Sequence, residues 1–424
     1  MGHQSLLSDA LLEDLVAAGQ ADVLVGILTL NDVQTIGPVV HAISTAFAGP
    51  LHRQRTVLLN IDLGSTDGTP EIVRRGSRSD ELVAVRHPLR TVHRISAPYH
   101  GAPGRSGALR LVLAAADLLG ARSVAMVDPA HGPREPAALA AFFLAAEAAD
   151  LDVVRPRPPR SPHEAPLITQ LVRPLLTAAW GRGFAEPAST ELSCSRRFAA
   201  ALTRMDLWDR AEADEAIDVR LSASALQPAW RAGELFTAED LHAVPTAVPL
   251  ARVFRQVVGA TLRGLVEDHA AWTALAPATV PPLVALGTAQ PRSAAPPRFR
   301  FDDMRAAFVE GVGTLTPILA SFLPSETLTA LARVASAAAA FDDVLWAQIL
   351  FHAVAASVRR ALPVDEVAMA LLPLYQGRAA WFLSTIHDLA DEDATARLPA
   401  LAVAMHAARA EYVSRLSGPA VRGA

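Results

Sequence analysis

The sequence has no lysine. All 38 of its basic residues are arginine, set against 43 acidic ones, for a net charge of −5 with histidine neutral. A mildly acidic chain lacks the basic face that general nucleic-acid binding requires. There is one cysteine, Cys194. It excludes an internal disulfide and a cysteine-type zinc site and fits a reducing cytoplasm. Long hydrophobic runs are also missing. The longest, 137–146, stops at Glu147, short of the ~20 residues that a membrane span needs. The first 15 residues carry Asp9, Glu13 and Asp14 and no basic stretch, which is unlike a signal peptide. A cytoplasmic protein is therefore expected. Disorder is excluded by a content of 51% hydrophobic and 19% charged residues. The abundance of Ala, Pro and Arg without Lys looks like the coding bias of a high-GC, actinobacterial source.

A length of 424 residues suggests more than one domain. Short apolar runs at 22–28, 55–61, 82–86 and 122–128 read as buried parallel strands. Helical spacing of apolar residues covers 33–47 and 107–119 between them. Strands alternating with helices predict an α/β sheet with right-handed crossovers. Residues 276–300 hold six prolines, among them Pro281, Pro282, Pro296 and Pro297, and predict a linker or wrapping arm. Beyond it the pattern is helical only, over 302–322, 325–341, 342–361, 364–386 and 394–416, with Pro373 and Gly377 expected to kink or divide the fourth helix. The expected organisation is a nucleotide-binding α/β domain at 1–275, a linker at 276–300 and an all-α domain at 301–424.

In such sheets ligands sit at the carboxyl ends of the strands. Every polar cluster of the first half falls there: Thr29-Leu30-Asn31-Asp32, Asp62 to Thr69, and Asp128. In the second cluster an apolar strand ends in Asp62 and a Gly-Ser-Thr-Asp-Gly-Thr turn opens a helix. Helix capping by Ser65 or Asp67 and turn formation by the glycines account for the same residues without a ligand.

This strand, acid and turn resemble nucleotide-sugar glycosyltransferases of the GT-A type. Val25 to Asp32 followed by Thr35-Ile36-Gly37 resembles their first strand and loop. Gly101-Ala102-Pro103-Gly104-Arg105-Ser106-Gly107-Ala108-Leu109-Arg110 resembles a Gly-x-Pro-Gly-Lys-Gly-Ser-Ala-Leu-Arg loop, 114–128 continues it in register, and 253–259 resembles the segment just before the linker. Together they are similar to the retaining glucosyl-3-phosphoglycerate, glucosylglycerate and mannosylglycerate synthases, which join a GT-A domain to a helical C-terminal one. The resemblance implies a UDP- or GDP-sugar donor held by Leu28, Asn31, Asp32, Asp62, Gly104, Arg105 and Asp128. A carboxylate there can accept from a uracil imide or from ribose hydroxyls. Arg105 stands where that group has Lys beside the diphosphate, and can pair with it more bidentately.

Three departures stand out. The group's Asp-x-Asp, whose second Asp holds Mg²⁺ or Mn²⁺, is here Asp128-Pro129-Ala130. A metal would need Asp128 with His131 or His242, so a weak or absent metal dependence is expected. The Gly-Gly of the acceptor region is replaced in Glu186-Pro187-Ala188-Ser189-Thr190-Glu191, which makes Thr190 and Glu191 the candidate acceptor contacts. Asp218, in Ala216-Ile217-Asp218-Val219, is the candidate for positioning the acceptor hydroxyl, with Arg105 assisting catalysis. Arg155-Pro156-Arg157-Pro158-Pro159-Arg160, after a fifth strand, reads as a solvated loop or an acceptor-anion contact. The expectation is a glycosyltransferase, retaining and homodimeric, acting on a small polar acceptor in a specialised pathway. The alternative is a catalytically degenerate relative that serves as a binding or partner protein.

Overall fold

The structure, a computed structural model, describes residues 7–75, 93–98, 104–208, 216–238, 249–289, 299–337 and 339–417. Its eight strands are β1 (Val23–Thr29), β2 (Thr56–Asp62), β3 (His93–Pro98), β4 (Ser123–Val127), β5 (Val153–Arg157), β6 (Leu192–Ser195), β7 (Ala232–Phe236) and β8 (Val284–Leu286). They form one sheet in the order β3-β2-β1-β4-β6-β5-β7-β8. β6 runs antiparallel to β4 and β5, and every other pair is parallel. The expected mostly parallel α/β sheet with a helical C-terminal portion is thus the observed architecture. The expected strand at 82–86 lies outside the described residues, and β3 is the strand found beside β2.

The apolar runs explain why β1, β2 and β4 form the centre. All seven residues of β1 are buried. Val23, Val25 and Ile27 face one core, while Leu24 and Leu28 face the other. This period-two division requires cover on both faces. The helices Ile36–Ala48 and Pro136–Phe143 supply it on one side, and Arg105–Leu118 with later helices on the other. Gly26 points at the second face. A Cβ there would lie 2.6 Å from Val112 Cγ1 and 2.7 Å from Met126 Sδ, so glycine lets the Arg105–Leu118 helix settle onto the sheet.

Three expectations are corrected. Arg155 to Arg157 belong to β5 and are no loop. Pro156 fits because β6 pairs only with Val153 and Val154, so no neighbour on that side asks for its missing N–H. Part of the proline-rich segment 276–300 is strand β8, an edge strand on β7. Prolines at 281 and 282 precede that edge strand and leave its single ladder intact. Finally, Val364–Ile386 runs as one helix of 23 residues. Pro373 and Gly377 do not divide it, and both lie in its contact with the helix Phe301–Thr314. A Cβ on Gly311 would fall 2.2 Å from Pro373 Cβ, and one on Gly377 2.4 Å from the Phe308 ring.

The sheet and the C-terminal helices share a core. One cluster of buried apolar residues runs from Leu11 and Leu15 through the sheet to Met405 and Ala408. Polar bonds cross the same junction. Trp346 Nε1 donates to the Gln170 carbonyl at 2.6 Å. Arg378, 1% exposed, donates to Gln170 Oε1 at 2.9 Å and to the Phe341 carbonyl at 2.8 Å, and pairs with Asp343. No helix of the described residues is long and apolar enough to cross a membrane.

Candidate functional site

The carboxyl ends of β1, β2 and β4 bring three acidic loops together. Asp62 ends β2 and is 5% exposed. Its Oδ2 accepts from the Gly64 and Ser65 amides at 3.1 and 2.8 Å, and its Oδ1 lies 2.9 Å from the Thr29 hydroxyl. Three of its roughly four lone-pair positions are therefore committed to the turn. Asn31 ties this turn to the β1 loop. Its N–H donates to Ser65 Oγ and its Oδ1 accepts from the Thr66 amide, at 2.8 and 2.9 Å. Its φ of 59° is left-handed, a conformation Asn tolerates better than most residues. Asp67 adds a second tie, accepting from the Val33 amide at 3.0 Å while it caps the Thr69–Arg75 helix through the Thr69 N–H and hydroxyl. The capping and ligand readings of this segment are thus compatible, because the caps hold the loop that presents Asp32.

Asp32 remains open to a ligand. It is half-buried, and among the described residues its carboxylate accepts only the nearby Leu30 amide, at 2.8 Å through Oδ2. Burial raises its pKa above the ordinary carboxylate range; the Leu30 bond opposes this, and the charges of Asp128, Asp67 and Asp62 add to it. A ligand that donates hydrogen bonds relieves this crowding. Leu28 is 7% exposed and is part of the core.

The second half of the site is built around Asp218. Arg105 opens the helix that follows Gly104. Its Nε and Nη2 donate to the Asp218 carboxylate at 2.9 and 3.3 Å, and Nη2 also reaches the Thr190 carbonyl at 2.8 Å. Burial works against the charge on Arg105, but the carboxylates of Asp218, Asp128 and Glu191 outweigh it and raise its pKa. Arg155, 1% exposed, lies beneath. It donates to the Ser189, Glu191 and Asp218 carbonyls at 2.7, 2.9 and 3.0 Å. Burial pulls its pKa down to about 10. The two arginines clamp the 189–191 segment against the start of the Ile217–Ala225 helix.

Glu191 and Thr190 take different places. Glu191 is fully buried, and its Oε1 accepts from the Asp128 amide, His131 Nδ1 and Arg134 Nη2 at 3.0, 3.1 and 2.8 Å. It faces the β4 loop from inside the protein. Thr190 is half-buried and its Oγ1 has no partner among the described residues. Asp128 is half-buried, and its Oδ1 accepts from the Ala130 amide at 2.9 Å.

His242, the other expected metal ligand, lies outside the described residues, as do Tyr99, His100 and 101–103. Among the described residues no three His, Cys, Asp or Glu side chains converge as a metal-holding group. Asp128 alone does not make a site for Mg²⁺ or Mn²⁺.

Arg134, which the sequence reading did not single out, holds Glu191. Arg155, expected as a loop residue or an acceptor-anion contact, and Thr29, of the first polar cluster, are structural partners of the other site residues. Arg155 carried one signal, an arginine running directly on from the apolar Val153-Val154. The lone Cys194 is buried without a disulfide, and burial pushes its thiol up to about 12.

No protein-family profile matches the chain, and no curated protein does. Solved structures do match. Glucosyl-3-phosphoglycerate synthase from Mycobacterium tuberculosis, determined with Mg²⁺ and UDP, is 20% identical over 59% of this chain and 82% of its own, with a TM-score of 0.41. Mannosyl-3-phosphoglycerate synthase from Rubrobacter xylanophilus is 17% identical over 59% of this chain and 75% of its own, with a TM-score of 0.39. A mannosyltransferase from Pyrobaculum calidifontis, determined with GDP-mannose and Mn²⁺, is 17% identical over 87% of this chain and 88% of its own, with a TM-score of 0.37.

Proposed function

We propose that the chain is a glycosyltransferase that moves a sugar from a UDP- or GDP-linked donor to a small polar acceptor, with retention of configuration. The observation that carries this reading is the juxtaposition, at the carboxyl edge of a parallel sheet, of the under-coordinated Asp32 and a guanidinium at a helix start.

In this reading Asp32 and Asp128 accept hydrogen bonds from the nucleoside, and the turn held by Asp62, Asn31 and Asp67 fixes Asp32. The diphosphate lies at the start of the Arg105–Leu118 helix, where the helix dipole favours anions. Arg105 neutralises the charge that grows on the leaving diphosphate. A fixed charge aimed at developing negative charge in a partly dry site is an effective catalytic device. The acceptor hydroxyl lies against Asp218 and Thr190. Asp218 orients it, and a leaving phosphate oxygen takes its proton as the new glycosidic bond forms. Residues 1–275 carry this machinery, 276–300 add the edge strand β8 and lead on to the helices, and 301–424 brace the sheet. The reading further includes a homodimer acting in the cytoplasm within a specialised pathway.

Calorimetric titration with UDP and with GDP, each with and without Mg²⁺ or Mn²⁺, is the test. Micromolar binding of one nucleotide without metal supports the reading and names the donor base. Binding only with metal would bring His131 or His242 into a metal site. No binding under any condition would overturn the transferase and favour a degenerate partner protein, a role consistent with Ala130 at the metal position.

A further inference from the structure

The residue assigned to the donor and the residue assigned to the acceptor are bonded to each other. Arg105 and Asp218 are 113 residues apart in sequence and form a two-pronged ion pair. The Asp218 side chain is 9% exposed and that of Arg105 26%. Neither can serve its ligand fully while it serves the other. From this geometry we infer an interlock that rests on the proposed function: the Arg105–Asp218 pair holds the acceptor subsite closed until a nucleotide diphosphate draws Arg105 away, so that donor and acceptor bind in that order and each favours the other.

The surroundings give the pair its leverage. Arg105 also holds the Thr190 carbonyl, and Arg155 holds the carbonyls of Ser189, Glu191 and Asp218 from below. A diphosphate that takes Arg105 therefore releases the upper half of the clamp and leaves the lower half in place. The helix that carries Asp218 follows Ala216, whose φ of 52° is left-handed, a strained conformation for alanine that persists only under constraint. Loss of the upper clamp relaxes one of those constraints. Asp218 is then a nearly buried carboxylate that has lost the guanidinium bonded to it and keeps only the charge of Arg155 behind its carbonyl, which is unfavourable until a donor group arrives. An acceptor hydroxyl is such a group. Before the donor binds, the same hydroxyl has to compete with a guanidinium, which holds the carboxylate with two N–H groups and an opposite charge. Linkage makes the coupling reciprocal: whatever the diphosphate gives to acceptor affinity, the acceptor gives back.

Asp218→Asn tests the interlock because it removes the charge and keeps the shape. UDP and GDP are titrated into the wild-type protein and the variant. The expected result is that the nucleotide that binds the wild type binds Asp218→Asn about tenfold more tightly, within the usual range of coupling between sites. Equal or weaker binding by the variant would overturn the interlock and leave the proposed function standing. If neither nucleotide binds either protein, both readings fail together. A second measurement needs no variant. Hydrogen exchange of the wild-type amides is compared with and without the binding nucleotide. Faster exchange at 189–191 and 217–219 on binding supports release of the clamp, and slower or unchanged exchange overturns it.

Discussion

Asp62 gives its carboxylate to the backbone of its own turn and to Thr29, and in the proposed function it serves a ligand only by holding Asp32. Replacing it with alanine leaves the Gly64 and Ser65 amides short of their acceptor, while the Thr29 hydroxyl can turn to Asn60 Oδ1. Leaving such groups unpaired costs about 1–3 kcal/mol. Asp62→Ala is expected to lose that much stability in urea unfolding and to weaken nucleotide binding as well, because the loop that presents Asp32 loosens. Unchanged stability would show that the turn holds itself. Asp22 illustrates the opposite electrostatic case from Asp32. Arg55 donates to its carboxylate through Nε at 3.2 Å and Nη2 at 2.9 Å, and these bonds lower its pKa to about 2. A folded value below the unfolded one stabilises the protein above the ordinary carboxylate range, and that stability is lost as pH falls from about 4 towards 2. Arg55 is half exposed, so solvent screening keeps the contribution of the pair small. Asp22→Asn is expected to lower stability at pH 7 and flatten the stability profile between pH 4 and 2. An unchanged slope would mean that the pair does not form in solution.

Elements differ in how far the sequence discloses them. β1, β2 and β4 were readable because a strand buried on both faces is a short apolar run bounded by turn residues. Their polar ends were readable as a site because parallel strands bring their carboxyl ends to one edge. β8 was hidden because an edge strand needs no apolar face, and its prolines pointed to a linker. The Arg155–Arg157 strand was hidden because its arginines look like surface residues until buried carbonyls appear to receive them. The Arg105–Asp218 pair was beyond reach, since only the folded sheet brings two segments 113 residues apart into contact. Gly26 tests the packing that positions this edge. Gly26→Ala puts a methyl against Val112 and Met126, and overpacking of a tight core costs about 1–3 kcal/mol. The variant is expected to unfold at lower denaturant, with a nucleotide affinity that falls because the helix bearing Arg105 is pushed off the sheet. If stability falls and affinity holds, the start of that helix is fixed by Asp218 and Thr190 and not by its seat on β1.

At the scale of the whole molecule, the two halves of the chain share a core and should unfold together. The cluster that begins at Leu11 ends at Ala408, and Gln170 receives both Trp346 and Arg378 from the helical half. Such a junction leaves little apolar surface for either half to keep buried alone. One cooperative calorimetric transition is expected, with the van't Hoff and calorimetric enthalpies in agreement. Arg378 makes this testable. Arg378→Met keeps the apolar stem but leaves Asp343, Gln170 Oε1 and the Phe341 carbonyl without their donor. Removing one partner of a buried ion pair costs about 3–5 kcal/mol. At about 2.1 cal/mol/K of unfolding entropy per residue, a chain of this length should lose about 3–6 °C in Tm. The single transition should persist, because the apolar cluster is untouched. If the variant splits into two transitions, the joint at Gln170 and Arg378 is what couples the halves, and the helices beyond residue 301 can melt away from the sheet while the site at its carboxyl edge still binds nucleotide.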